Sequence, residues 1–330
     1  MEKELAYKVK EINGFTENDY IEEEMFAPLQ GKEKELVEIE RPSIGYWSNA
    51  WRKLRENKVA LFSMILIIFI ILCAVFAPII IEKVWGFTYY GIDLTNTDQS
   101  PNLTHWFGTD NKGRDLFVRV MYGARYSLII AFAASAMNLL IGVIYGGIAG
   151  FAGGRTDNIM MRIVDTLYAI PTTIYVVLLM AVLKREGSTG LSSIILAMAI
   201  SYWVGMARIV RGDILQLKQQ EFVLAAKTLG ASKKRILFRH LIPNCIGSIL
   251  VTMTLFVPSA IFTEAFLSYI GLGLNAPLAS LGTLANDAKG ALTTNPYQLL
   301  FPAAMICLII LAFNLFGDGL TEALDPKHQK

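Results

Sequence analysis

Three sets of residues in this sequence have the types and spacing to do chemistry. The first is the polar stretch Glu221-Phe-Val-Leu-Ala-Ala-Lys-Thr-Leu-Gly230-Ala-Ser-Lys-Lys-Arg-Ile-Leu-Phe-Arg-His-Leu-Ile-Pro243-Asn244. Phe222, Ala225, Ala226 and Leu229 recur there at helical spacing, and the small pair Ala225 and Ala226 permits close approach of another surface. That chemistry is recognition by packing, not bond making. The second set is Asp165 and Glu264, each the only acid in a long apolar run, where an ionisable group is costly and a functional hypothesis by default. The third is Pro171 and Pro258, which lie in such runs and remove a backbone hydrogen bond, bending the helix. Such bends would form a cavity or serve as pivots. No phosphate-binding GxxxxGK[ST] loop, GxSxG elbow or HExxH pair occurs. Cys73, Cys245 and Cys307 fall in apolar runs, and His105, His240 and His328 are far apart. The expectation is no catalytic, metal or cofactor site in this chain. Any uphill work must draw its energy from a partner or an ion gradient.

These residues need a framework, and the composition says which. Of 330 residues, 54% are hydrophobic and 18% charged, and the mean hydropathy is +0.45. Soluble domains are nearer 45–50% apolar and about 25% charged. A net charge of +2 leaves no basic footprint for nucleic acid. The apolar excess falls in six runs: Val59–Ile81, Ser127–Gly150, Ile163–Leu183, Leu191–Ala207, Cys245–Ile270 and Leu299–Phe316. Each is long enough, or nearly so, to cross a bilayer as a helix. The chain reads as an all-α polytopic membrane protein. No signal peptide is visible, since the first run begins near residue 59 and is too long for an h-region.

Basic residues in short loops set orientation. Arg41, Arg52, Lys53, Arg55 and Lys58 precede the first span, and eight basic residues against two acidic ones separate the fourth from the fifth. With six spans both clusters fall on one side, which is then the cytoplasm, as are both termini. The expected organisation is an acidic cytoplasmic tail over 1–40, with twelve Asp or Glu against five Lys or Arg. An interfacial amphipathic helix follows over 41–58, on which Trp47, Trp51, Leu54 and Lys58 share a face. Then come the first span (59–81), an outer loop (82–126), a core over 127–317 with a cytoplasmic loop at 208–244, and a cytoplasmic tail (318–330). Within the loop, residues 218–229 form a short helix that Gly230 terminates, and Ser232 caps a second helix through His240. Gly142, Gly146 and Gly150 repeat every fourth residue, which lets helices pack closely in lipid. Asn138 and Asn314 read as inter-helix hydrogen-bonding residues. Asp165, three residues from Arg162, reads as a local ion pair or as part of a gate.

The spacing AA-x3-G-x12-P, from Ala225 to Pro243, resembles the EAA motif of type I ABC importer permeases. Leu224 stands where that family has Glu, and Glu221-Phe222 matches a variant found in peptide-transporter permeases. The lead W-x-x-L-R-x-N-K from Trp51 and the F-A-P ending at Pro78 are similar to the C-type permease subunit of dipeptide and oligopeptide importers. So are Phe107-Gly-Thr-Asp-x-x-Gly-Arg-Asp115, Tyr122-Gly-Ala-Arg-x-Ser-Leu128, Glu264-x-x-Leu-Ser-Tyr-Ile-Gly-Leu-Gly273 and the segment from Phe313 to Pro326. The resemblance covers most of the chain after about residue 45. It implies a type I ABC permease fold in the bacterial or archaeal cytoplasmic membrane. It also implies a second homologous permease, two ATPase subunits that hold ATP and Mg, and an extracytoplasmic peptide-binding protein. The helix carrying Glu221, Phe222, Ala225, Ala226, Leu229 and Gly230 would dock on an ATPase. Asp165, Glu264, Pro171 and Pro258 would belong to the path or its gate; Glu264 would meet a peptide amino group or hydrogen-bond a neighbouring helix. A nickel or other small-solute importer shares these motifs. A secondary transporter would work alone and usually carry an inverted repeat, and none is seen by inspection. A non-transporting assembly factor would leave the projecting loop unexplained.

Overall fold

The computed structural model describes residues 7–8, 20–21, 45–185 and 187–324. The chain divides into Met1–Tyr46 and Trp47–Lys330. In the first unit, two short strands, β1 (Tyr7–Lys8) and β2 (Tyr20–Ile21), pair antiparallel with Tyr7 opposite Ile21. The rest of the acidic stretch 1–40 lies outside the described residues, as do 325–330.

The second unit is helical: α1 (Tyr46–Glu56), α2 (Lys58–Trp85), α3 (Leu116–Ala152), α4 (Gly154–Tyr168), α5 (Thr172–Leu183), α6 (Leu191–Leu217) and α7 (Glu221–Thr228). Then come α8 (Lys233–Arg235), a π-helical segment (Ile236–Leu241), α9 (Ile242–Asn244), α10 (Ile246–Tyr269), α11 (Leu281–Asp287) and α12 (Tyr297–Leu324). Among the described residues, α2, α3, α6, α10 and α12 are long and apolar enough to cross a membrane, and α4 with α5 makes a sixth candidate bent by 85°. The third expected span, Ile163–Leu183, is therefore broken. Pro171 cannot donate a backbone hydrogen bond, and its ring pushes Ile170 away from helical geometry.

In α2 the burial pattern explains the packing. Ala60, Ser63, Ile67, Ile70, Ala74, Pro78 and Ile81 form one buried stripe, while Phe62, Phe69 and Phe76 point outward. A helix that is apolar all round but buries one stripe presents the remainder to lipid. The α2 start is fixed by Asn57, whose Oδ1 accepts the N–H groups of Val59 and Ala60. Asn57 Nδ2 also donates to Glu322 Oε2 at 2.8 Å. The first turn of α2 and the last turns of α12 thus lie at the same end of the bundle.

α3, at roughly 55 Å for its 37 residues, exceeds the ~30 Å hydrocarbon layer. It packs along α6 at the glycine repeat. A Cβ on Gly142 would meet Met206, one on Gly146 would meet the Ala207 backbone, and one on Gly150 would lie 2.9 Å from the Arg211 carbonyl. The helices approach to backbone contact, as small residues permit.

Four boundaries differ from expectation. α3 begins at Leu116, because Asp115 Oδ1 accepts the Val118 N–H, so the outer segment is 86–115. α6 continues to Leu217 through residues read as loop. The helix expected after Ser232 has its cap, with Ser232 Oγ accepting Arg235 N–H, but runs into a π-helical stretch before Pro243. Pro243 has no N–H to return to the preceding turn, and i→i−5 spacing absorbs the mismatch. α12 extends past 318 to Leu324.

Candidate functional site

The helix singled out by the sequence is α7, and the structure divides its residues into two faces. Val223 and Ala226 are buried; Ala226 is 9% exposed. They pack with Val143, Met206, Val210 and Ile214 of α3 and α6 and with Ile236, Leu237 and Leu241 of the π segment. Phe222, Ala225 and Leu229 point away from the bundle, Leu229 at 87% exposure. Glu221 is exposed in the first turn. The spacing Phe222, Ala225, Leu229 is thus a real helical stripe, but it is the outward one. Ala226 belongs to the seat of α7 on the bundle, and Val223, which the sequence reading passed over, is its other anchor.

The end of α7 is a hydrogen-bonded glycine cap. Gly230 has φ +76°, its N–H donates to Lys227 O at 3.0 Å, and Ala231 N–H donates to Ala226 O at 3.0 Å. This pair of bonds is the Schellman arrangement, which needs the left-handed conformation that glycine adopts without a Cβ penalty.

Asp165 does not pair with Arg162. It pairs with Arg208 of α6 at 2.5 Å, and the Arg208 guanidinium lies 4.0 Å from the Tyr168 ring centroid. About two turns nearer the α4 start, Asp157 accepts both Arg211 Nε and Nη2, at 2.6 and 2.7 Å. These acids come from α4 and neutralise the arginines that extend α6 beyond its apolar part. Arg162, Asp165, Arg208 and Arg211 line an open groove of about 660 Å³. Pro171 sits at the α4–α5 break, whereas α10 continues through a buried Pro258.

Glu264 is completely buried on α10. Its two oxygens accept Ser127 Oγ at 2.8 Å and Ser268 Oγ at 2.7 Å. Ser127 Oγ also accepts the N–H of Leu281, at the start of α11. Ser127 lies on α3, so Glu264 hydrogen-bonds a neighbouring helix, as one of its two readings has it. Asp165 and Glu264 are not brought together: Asp165 pairs with Arg208, next to the Ala207 that faces Gly146 of α3, whereas Glu264 meets Ser127, roughly 28 Å away along that helix. Asn138 is buried with no partner for Oδ1, and Asn314 is exposed, so neither forms the expected inter-helix bond among the described residues.

The outer segment holds a network that sequence reasoning noted only as a motif. Asp110 accepts Arg114 Nε at 2.7 Å, pairs with Arg119, and accepts the N–H groups of Lys112 and Arg114. Burial pushes its carboxyl up, but Arg119, Arg114 and those amides outweigh burial and leave it below the ordinary carboxylate value. Arg119 also reaches Asp287, the last residue of α11, at 3.4 Å. His105 Nδ1 and Asp115 Oδ2 are 2.8 Å apart, and Phe107 stacks on Phe301 of α12 with centroids 4.0 Å apart. The Phe107-to-Asp115 signature therefore codes a folded loop tied to α3, α11 and α12. Among the described residues no group of three or more His, Cys, Asp or Glu could hold a metal ion.

Comparison with known proteins bears on this arrangement. Residues 139–330 match the family model of the binding-protein-dependent transport system inner membrane component. Residues 45–102 match the N-terminal TM domain of oligopeptide transport permease C. The oligopeptide transport system permease protein OppC of Bacillus subtilis is 53% identical over 310 residues, covering 94% of this chain and 99% of the relative. The dipeptide transport system permease protein DppC of the same organism is 46% identical, covering 94% and 95%. OppC of Escherichia coli K12 is 38% identical, covering 89% and 94%. Among solved structures, a chain from inward-facing conformations of the MetNI methionine ABC transporter superposes with a TM-score of 0.51 at 16% identity, covering 62% of this chain and 96% of that one; at that identity the likeness speaks for the fold alone. The chain is thus a multi-pass membrane protein of the type I ABC permease fold, and it belongs to the family of binding-protein-dependent transport system inner membrane components, in the branch that holds the oligopeptide and dipeptide C permeases.

Proposed function

We propose that this chain is one transmembrane subunit of an ATP-driven importer of peptides in a bacterial cytoplasmic membrane, with both termini in the cytoplasm. The observation that carries the reading is the 53% identity to an oligopeptide permease over nearly the whole of both chains. A second, related permease supplies the other half of the path. Two ATPase subunits bind ATP and Mg, and an external binding protein delivers the peptide to the 86–115 side.

The geometry supports a division of labour on α7. Its outward stripe, Phe222, Ala225 and Leu229, meets an ATPase, while Val223 and Ala226 carry the push into α3, α6 and the π segment. The acidic stretch 1–40 is a cytoplasmic tail, and α1, with exposed Trp47 and Trp51, lies at the membrane surface. Asp165 with Arg208, beside the Pro171 break, is the gate element we favour over Glu264.

The test is uptake of labelled di- to pentapeptides, against nickel, in a strain lacking this chain and complemented with it. Complementation should restore peptide uptake and not nickel uptake; nickel rescue alone would overturn the peptide reading. Leu229→Ser should insert normally yet lower peptide uptake several-fold, and unchanged uptake would remove the docking role.

A further inference from the structure

We propose that the groove between the inner end of α3 and the α7–π elbow binds the headgroup of an anionic phospholipid. The groove has a volume of about 740 Å³, and Lys218, Lys227, Lys233 and Lys234 line it together with Phe151 and Phe238. Four lysines wall this one groove. Lys218 Nζ is used by the Gly150 carbonyl at 2.9 Å, and among the described residues no acid pairs with Lys227, Lys233 or Lys234. Like charges lining one groove repel, so the site favours an anion with several acceptor oxygens.

The depth of the groove selects the source of that anion. Phe151 is the last residue but one of α3, so the groove opens where the apolar part of that helix stops. Phe238 is 47% exposed among the lysines and arginines of the elbow, the placement of an aromatic ring at headgroup level. Lys side chains at a helix end reach this layer with their stems along apolar surface. Basic pockets between membrane helices on the cytoplasmic side suit acidic lipid headgroups. The groove is also separate from the ATPase-facing stripe: Lys227 follows the buried Val223 by four residues and so lies on the bundle side of α7, away from Phe222, Ala225 and Leu229. A phosphodiester in the groove would neutralise the elbow while its acyl chains run beside α3. The proposal takes from the functional reading only the side of the membrane on which this end lies.

The test uses the assembled transporter in detergent, loaded with phosphatidylglycerol or phosphatidylcholine and read by native mass spectrometry. Phosphatidylglycerol should be retained in preference to phosphatidylcholine, and soluble glycerol phosphate should not displace it. The variant Lys227→Gln/Lys233→Gln/Lys234→Gln should lose about fivefold in retention per lysine, on the order of 100-fold in all, whereas Lys112→Gln in the outer loop should lose none. Equal retention of the two lipids, displacement by glycerol phosphate, or unchanged retention in the triple variant would each overturn the proposal. So would loss of the ATPase subunits with the lipid still bound, which would mark a protein interface. If the triple variant does not assemble, a photoreactive phosphatidylglycerol on the native complex decides: labelling within 151–156 or 227–238 supports the site, and labelling confined elsewhere overturns it. None of these readouts involves peptide, so failure here leaves the transport assignment standing.

Discussion

The outer segment 86–115 and the α7 elbow are both short polar excursions from one helical bundle, and they are held by opposite means. The outer segment is fixed by buried charge. Asp110, Arg114 and Arg119 interlock, Asp287 extends the link to the end of α11, and Phe107 stacks on α12. Breaking such a network strands a charge, so it holds one geometry. The elbow is fixed by apolar packing, Val223 and Ala226 of α7 with Ile236, Leu237 and Leu241 of the π segment, and by a glycine turn, and its cations carry no counter-charge among the described residues. Close packing of that kind transmits strain into the helices it touches. The contrast teaches where a rigid dock and a lever would sit in the same chain: under the proposed function the charge-locked outer loop would be the platform and α7 the part that is pushed.

Four experiments would break or sharpen that contrast, and the largest effect belongs to the platform. Arg119→Met removes a buried cation from Asp110 and should cost about 3–5 kcal/mol, read as a lowered thermal transition of the purified transporter. A loss below about 1 kcal/mol would mean the network does not hold the loop. Acid should act at the same place. Because the folded state holds the Asp110 carboxyl below its ordinary value, its contribution is complete above about pH 5 and is lost as pH falls through the ordinary value near 3.8 toward the lowered one. Protease cleavage in 86–115 should therefore rise between about pH 5 and pH 3 in the wild type. In Asp110→Asn this pH step should be absent.

On the lever side, Val223→Ala should cost about 2 kcal/mol of local packing. Its signature is coupling: less peptide moved per ATP hydrolysed, with insertion unchanged. Equal coupling in the variant would detach Val223 from force transfer. Gly230→Ala should cost about 1 kcal/mol by forcing a Cβ into the left-handed region, and Gly230→Asn less, since Asn tolerates that conformation. Equal losses for the two would place the effect elsewhere than backbone strain. Hydrogen exchange of the α7 amides reads it directly.

Much of this architecture was legible in the sequence because uncharged runs of spanning length have few alternatives. Five of the six spans have a helix where expected, and the break in the remaining one falls at Pro171. The ends were less legible. Arg208 and Arg211 read as loop charges, yet they continue α6 because Asp165 and Asp157 of α4 neutralise them, and nothing local announces a pairing across 43 or 54 residues. The extra turns of α3 depend on Asp115, whose capping role needs the fold of the loop before it. On α7, periodicity gave a stripe but not the side on which the bundle stands. With Val223 and Ala226 facing in, the residues named for docking keep their spacing while Ala226 changes its job. Glu264 was recognised as costly, and Ser268 stands one turn along the same helix, but its other hydroxyl partner, Ser127, is 137 residues away on α3, which composition cannot bring near.

The bond between Asn57 and Glu322 joins residues 265 positions apart, across the whole bundle in sequence and across one side-chain length in space. A ribosome makes the first of them long before the second. Until α12 has entered the membrane, the first turn of α2 has its own cap but no clasp, and the surface around Ala60 that Gly319 later covers remains open. Completion of the last helix is thus registered at the first. A nascent chain stopped short of Glu322 would carry every span yet leave Asn57 Nδ2 without its carboxylate partner and α2 unlatched at that end.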